Sequence, residues 1–451
     1  MTTDLGDGAR TEAVAEPAPR AAAVRRFWVV LGALALVGFF LRVGYVMTVA
    51  QDVPLGNDAT WYFLQSGSIA DGAGFIDPEQ RFATGAEVAT AGFPPLYPAW
   101  LAAVRTLGFD SVLALQLAGS VAGSATVVLT GLLGRRLAGP TVGLVAGGLA
   151  ALSPALLAGD GSLMTESVYV PIVLAALLLA DRARIDQAWG WWVGLGLTCG
   201  AAALTRQEAL LIALVVVVPA ALLAPSRSWP WRIGRLAIAG ATMLVVVTPW
   251  VARNQQQVGE LTISTASPAT SLAGSNCDAT YSGPSIGSWD FECTGSELRS
   301  TMSESAWTTQ VRNDAIAYAR DHAGRLVVVA PAREARVWGL WDPRDLVVRD
   351  ASETRSERFQ YVVWATGVVT FVGGLAGIVV LGRQHRRIAV LVGALSLVAI
   401  TAVLSHGNPR FRTVAEPALL IGLAAVAVAL ARACWRPVPS ASHPSDASAP
   451  P

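Results

Sequence analysis

Apolar stretches long enough to cross roughly 30 Å of hydrocarbon recur along nearly the whole chain, at 27–49, 111–133, 140–158, 167–181, 190–205, 208–224, 234–251, 360–382, 388–404 and 416–433. In lipid, no water is present to satisfy backbone N–H and C=O groups, so such segments must be helices that bond internally. An all-α polytopic membrane protein with about ten transmembrane helices is expected. Composition agrees: 53% of the 451 residues are hydrophobic and 14% are charged, where soluble domains approach a quarter charged. A formal net charge of +1 with evenly scattered basic residues offers no basic stripe to hold nucleic acid by counterion release, so that partner class is excluded.

Residues 1–24 and 436–451 are too poor in apolar side chains to bury a core and read as disordered cytoplasmic tails. The run 27–49 is too long for a signal peptide and lacks a small-residue cleavage site, so it is expected to remain as a transmembrane helix. Arginines fix the orientation through the positive-inside rule. Arg20, Arg25 and Arg26, then Arg135 and Arg136, Arg182 and Arg184, Arg227, Arg232 and Arg235, Arg383, Arg386 and Arg387, and finally Arg432 and Arg436 fall on alternate connections. Both tails are thereby placed in the cytoplasm of a cell whose plasma membrane the chain crosses repeatedly. The short span 167–181 and the turn at Arg206 act as a pair: losing both leaves the later orientation unchanged.

The extracytoplasmic face then receives 50–110, 159–166, the turn at Arg206, 252–359 and the turn from Ser405 to Glu416. A catalytic module of 25–251 that includes the loop 50–110, an outer segment of 252–359 and C-terminal helices within 360–435 complete the expected organisation. In the first outer loop Asn57 or Asp58 can cap a helix closed by Gly72 and Gly74. Asp58, Trp61, Tyr62 and Gln65 stand at i, i+3, i+4 and i+7 and so share a helical face. The plainer reading is that Asp58 only caps the helix while Trp61 and Tyr62 anchor it in the interfacial belt. Pro94, Pro95 and Pro98 around Tyr97 impose a bend at the entry to the next helix.

Glu166 lies in Met164-Thr165-Glu166-Ser167 at the head of an apolar run, where a carboxylate needs water or a partner; it can also serve as a first-turn acid for the helix dipole. Arg206 and Glu208 stand between two apolar runs, as a site pair or a structural one. His406, Arg410 and Arg412 lie on the outer face against the positive-inside trend, which calls for a negative partner: a phosphate, for which guanidinium is well shaped, or ordinary anionic lipid.

Together these residues resemble the GT-C superfamily of integral membrane glycosyltransferases, near its protein O-mannosyltransferase and lipid A aminoarabinose transferase branch. The resemblance covers about residues 25–433. It is carried by Asp58 with Trp61 and Tyr62, Pro94 to Tyr97, Gly134 to Leu137, Met164 to Ser167, Leu204 to Glu208, and Arg410-Phe411-Arg412. It implies transfer of a monosaccharide from a polyprenyl-phosphate-linked donor, with inversion, to an extracytoplasmic glycan, lipid or protein acceptor. Asp58 would be the general base and Glu166 would shape the site. Phe93 stands where many relatives carry His or Lys, which shifts phosphate binding to Arg206, Arg410 and Arg412, with Trp61, Tyr62, Tyr97, Glu208 and His406 completing the substrate-binding set. Asn57 precedes Asp58 where some relatives have a second acid, so a divalent metal is neither required nor excluded by the pattern.

The Gly-rich outer segment holds Cys277 and Cys293, suited to a disulfide in an oxidising compartment; a zinc site there lacks a second ligand pair. Cys199 and Cys434 are expected to stay unpaired. Ala306 to Arg320 has helical periodicity, and Leu326 to Trp341, with Trp338 and Trp341 beside Arg333 and Arg336, has the pattern of a helix lying on the outer membrane surface. The rival reading is a transporter or flippase of a lipid-linked or anionic substrate, since membrane carboxylates and arginines also mark substrate pathways. The polar residues cluster at one interface and no internal repeat is evident, whereas transporters usually show repeats and broken helices near the midplane. A membrane scaffold would leave Asp58 and Glu166 unexplained.

Overall fold

The computed structural model describes residues 18–434 apart from 187, 226, 385 and 386. The expected tail 436–451, residues 1–17 of the other tail, and Arg386 and Arg436 lie outside the described residues. Each of the ten apolar stretches is occupied by helix, and among the described residues the β contacts amount to one isolated bridge, Ile76 to Ala89. Five helices are long and apolar enough to cross a membrane by themselves: Ala21–Asp52, Val112–Ala138, Trp229–Gln257, Glu357–Arg383 and Glu416–Cys434. A sixth span is available if Pro140–Leu152 and Pro154–Gly161, bent by 52°, count as one. The bend follows from Pro154, which cannot continue the preceding hydrogen-bond ladder, and from Ser153, whose hydroxyl accepts from Leu156 N–H to start the second helix. The remaining stretches hold Glu166–Ile185, Trp189–Thr205, Gln207–Leu222 and Ala389–Leu404, which are shorter or carry charges near their ends.

The first helix, Ala18–Thr48, begins inside the segment read as a tail. Pro19 falls in its first turn, where a missing N–H costs nothing, and the alanines that follow favour helix. Packing between helices relies on small residues, as expected where lipid removes the hydrophobic drive. Gly377 lies against the backbone of Gly422 so closely that a β-carbon there would overlap it. Farther in, Arg42 is fully buried and donates from Nε to Asp160 Oδ2 at 2.7 Å. Gly123 makes room for that ion pair, and a β-carbon at its position would strike both partners.

Residues 252–359 include the short helices Ala266–Ser275, Glu304–Asp321, Leu326–Val337 and Pro343–Ala351. Cys277 and Cys293 are joined by a disulfide, with S–S 2.07 Å, while Cys199 and Cys434 are free. The helix read as interfacial exposes Val327 and Val328 but buries both arginines. Arg333 donates to Val403 O at 2.7 Å and Ser275 O at 2.6 Å, and Arg336 to Ile286 O and Pro284 O, each at 2.6 Å. Both arginines satisfy carbonyls at the ends of Ala266–Ser275 and Ala389–Leu404 and in the loop at 284–286, so they tie this helix to its neighbours while Val327 and Val328 stay exposed.

Candidate active site

Asp58 is the second residue of the helix Asn57–Ala70, whose N-cap is Gly56, with no side-chain capping bond. The cap is therefore neither Asn57 nor Asp58, and the Asp58 carboxylate is left for another use. Its Oδ2 accepts from Arg410 Nη1 at 3.2 Å. The same nitrogen donates to Glu353 Oε2 at 2.9 Å, and Arg410 Nε donates to Glu166 Oε1 at 2.5 Å. Arg206 Nη1 reaches the same Glu166 oxygen at 3.1 Å and Thr165 Oγ1 at 3.0 Å, while its Nε pairs with Glu208. One cluster thus unites Asp58, Glu166, Arg206, Glu208 and Arg410 from the sequence reading, and adds Glu353.

Two strained turns deliver acids to this cluster. Among the described residues, the non-glycine residues with left-handed φ are Leu163, at 54°, and Thr354, at 61°. Leu163 stands in the turn that ends at Glu166, and Thr354 directly follows Glu353. Such conformations cost on the order of 1–3 kcal/mol each and persist where surrounding structure imposes them. The Thr354 turn is latched to the Asp58 helix, since Thr354 Oγ1 accepts from Gly56 N–H at 2.7 Å. Beside it Arg355 grips both oxygens of Asp350, at 2.8 and 3.0 Å.

Four carboxylates, Asp58, Glu166, Glu208 and Glu353, stand against two guanidiniums, Arg206 and Arg410, which leaves a formal charge of −2. The side chains of Glu166 and Arg410 are 5% and 6% exposed, whereas that of Asp58 is 34% exposed, so Asp58 is the carboxylate most open to an incoming molecule. Glu353 is held above the usual carboxylate range: burial raises it most, Arg410 pulls it back, and the negative charge of Asp58 adds to the rise. Among the described residues no three His, Cys, Asp or Glu side chains form a set that could hold a metal ion; the guanidinium of Arg410 occupies the centre on which the carboxylates converge.

Behind Glu166 and Arg410 a cleft of about 300 Å³, counting its open mouth, runs between charged and apolar walls. Glu166, Arg206, Glu208 and Arg410 line it together with Tyr169, Leu397, Val398, Phe411 and Val414, and the Arg206 guanidinium faces the rings of Tyr169 and Phe411 at 5.8 and 5.6 Å. The remaining predicted residues do not line this cleft, although Tyr62 and His406 stand close enough to the cluster to feel its charges. Trp61, Tyr62 and Tyr97 are 5%, 3% and 1% exposed and form an aromatic core with Phe93, which stands 5.4 Å from Trp61 and 5.3 Å from Tyr62. They hold the Asp58 helix as part of a buried aromatic cluster. His406 is buried against Phe411, with Nδ1 2.8 Å from Ser405 Oγ, and burial together with Arg333 and Arg410 pushes its imidazole down to about 3, so it is neutral. Arg412 is buried against Gly339 and Gly367 with Nε 3.4 Å from Glu416 Oε2, outside the cluster and the cleft.

Comparison with known proteins places this geometry in context. Residues 93–252 match the family described as dolichyl-phosphate-mannose-protein mannosyltransferase. The archaeal oligosaccharyltransferase AglB from Archaeoglobus fulgidus, in complex with an inhibitory peptide and a dolichol-phosphate, superposes with a TM-score of 0.50 and 14% identity over 90% of this chain and 51% of that one. An oligosaccharyltransferase from Archaeoglobus fulgidus tethered with an acceptor peptide gives a TM-score of 0.53 and 13% identity over 90% and 50%. ArnT from Cupriavidus metallidurans bound to undecaprenyl phosphate gives 0.44 and 15% over 90% and 79%. No curated protein matched by sequence. This chain spans about half the length of the archaeal enzymes, and identities this low show a shared fold. The resemblance to GT-C membrane glycosyltransferases holds at that level.

Proposed function

We propose that this protein transfers a monosaccharide from a polyprenyl-phosphate-linked donor to an acceptor on the extracytoplasmic side of the plasma membrane, with ten helices crossing the bilayer and both tails inside. The observation that carries this reading is the placement of Asp58: a solvent-reachable carboxylate, oriented by a buried arginine that itself lines a cleft of charged and apolar residues. The matched mannosyltransferase family and the dolichol-phosphate in the AglB complex support a lipid-phosphate donor.

Asp58 accepts the proton of the acceptor hydroxyl as its oxygen bonds to the anomeric carbon and the bond to the phosphate oxygen breaks. A single displacement of this kind inverts the anomeric centre and releases polyprenyl phosphate. Arg206, which lines the cleft, meets the phosphate. Glu166 holds Arg206 and Arg410 in register, and Glu353 with Arg410 fixes the Asp58 carboxylate.

The test is to give the purified protein a panel of radiolabelled polyprenyl-phosphate monosaccharides, including mannose, and to follow sugar release and product. Transfer from one member, lost in Asp58→Asn, is the expected result. Transfer from none, with measurable lipid or solute translocation, would replace this reading with the transporter.

A further inference from the structure

The helix Glu166–Ile185 carries a second charged cluster at its far end. Asp181 follows Glu166 by four turns of helix, about 22 Å at 1.5 Å per residue, which places it toward the membrane face opposite Asp58. Its side chain is 1% exposed. Arg136 Nε bonds Asp181 Oδ2, and Arg136 Nη2 reaches the Asp181 carbonyl at 3.4 Å. Arg184 Nη2 and Arg387 Nη1 each stand 3.7 Å from the carboxylate, at ion-pair distance but beyond hydrogen-bond reach. One carboxylate against three guanidiniums leaves a formal +2. The cluster opens into a cleft of its own, lined by Asp181, Arg184 and Arg387 together with apolar residues including Val216, Pro219 and Val390.

We infer that this cleft binds the phosphate of an anionic phospholipid in the leaflet opposite the Asp58 cluster, with Arg184 and Arg387 as its ligands. Asp181 holds the guanidiniums in place while neutralising only one of them, so their remaining N–H groups offer planar, paired donors to a phosphodiester. The apolar wall beside them suits an acyl chain, which a soluble anion would not use. A basic pocket between helices at the cytoplasmic side is the setting in which anionic headgroups are held, and the +2 excess disfavours a headgroup that carries its own cation. This site is separate from the proposed donor site and does not depend on it.

The full-length protein in detergent, supplied with equal amounts of phosphatidylglycerol and phosphatidylcholine of the same acyl chains, tests the assignment by native mass spectrometry. Preferential retention of phosphatidylglycerol is expected, falling roughly fivefold for each guanidinium removed in Arg184→Gln and Arg387→Gln. Asp58→Asn should retain the lipid in full, which separates this site from the donor site. Equal retention of the two lipids, or an undiminished preference in the double variant, would overturn the inference. Displacement by inorganic phosphate at the concentration where phosphatidylglycerol itself competes would show a soluble-anion site and overturn the lipid assignment. If the double variant fails to insert, Arg387→Gln decides alone: its side chain is 40% exposed, and unchanged lipid preference there has the same meaning.

Discussion

Asp58 and Glu353 share one nitrogen, Nη1 of Arg410, at 3.2 and 2.9 Å. Glu166 holds the other edge of the same guanidinium. Arg410 therefore acts as a hub that neutralises acids from three distant segments, and its removal differs in kind from the removal of any one acid.

Arg410→Ala is expected to lower stability, since Glu166 then keeps only Arg206 while Asp58 and Glu353 lose the cation they share, and added donor should not rescue its activity. Arg410→Lys should recover only part, because a single ammonium cannot face both edges of the cluster. Arg412→Ala should lower stability without changing the donor requirement, since Arg412 lies with Glu416 away from the cleft. Unfolding midpoints in detergent, beside kinetics at rising donor, separate these outcomes. A purely donor-dependent defect in Arg410→Ala would return that residue to phosphate binding.

Asp58→Asn should insert normally and lose sugar transfer by roughly 10²–10⁴, the usual contribution of a general base. Gly56 caps the helix without help from the Asp58 side chain, so the amide removes no cap. Near-normal turnover in this variant would remove Asp58 from the mechanism.

Glu353→Gln bears on pH. A carboxyl held above its usual range binds more protons folded than unfolded, so its contribution is fully present below the unfolded value near 4.5 and is lost as pH rises through the raised folded value. Wild type and Glu353→Gln should be similarly stable in acid, and the variant should gain on wild type as pH rises across that window. Paired melting curves over a pH series check the sign; a variant that instead loses ground would mean that the contact with Arg410 outweighs burial.

Cys277 and Cys293 should appear as one linked pair in nonreducing peptide maps, with Cys199 and Cys434 as thiols. Closing a loop with a sequence separation of 16 contributes on the order of 3 kcal/mol by the chain-entropy account. Cys277→Ser with Cys293→Ser should loosen the outer segment, read as faster proteolysis between Ala266 and Ala351.

Helix positions were legible because apolar runs in lipid admit little else. The cluster was partly legible because a lone acid or arginine beside an apolar run demands a partner, and Asp58, Glu166, Arg206, Glu208 and Arg410 turned out to meet that demand together. Helical spacing showed that Trp61 and Tyr62 share a side with Asp58, but spacing says nothing about what covers that side, and Phe93 and Tyr97 cover it. Arg412, two residues beyond Arg410 in a tight 3-10 turn, points another way. Glu353 gave no signal, since it sits in a polar stretch among Asp350, Arg355 and Glu357, where only the folded path of the chain distinguishes one charge from the next.

The order in which the cluster's members leave the ribosome has a consequence for biogenesis. Asp58 and Glu166 are made early, Glu353 much later and Arg410 after that, in the connection between Ala389–Leu404 and Glu416–Cys434. Until that connection is made, Glu166 has Arg206 as its cation and Asp58 has water. A nascent chain halted before Arg410 thus holds Asp58 without its orienting partner. The arrangement around Asp58 is therefore complete only once residues as far apart in the chain as Glu166, Glu353 and Arg410 are all in place.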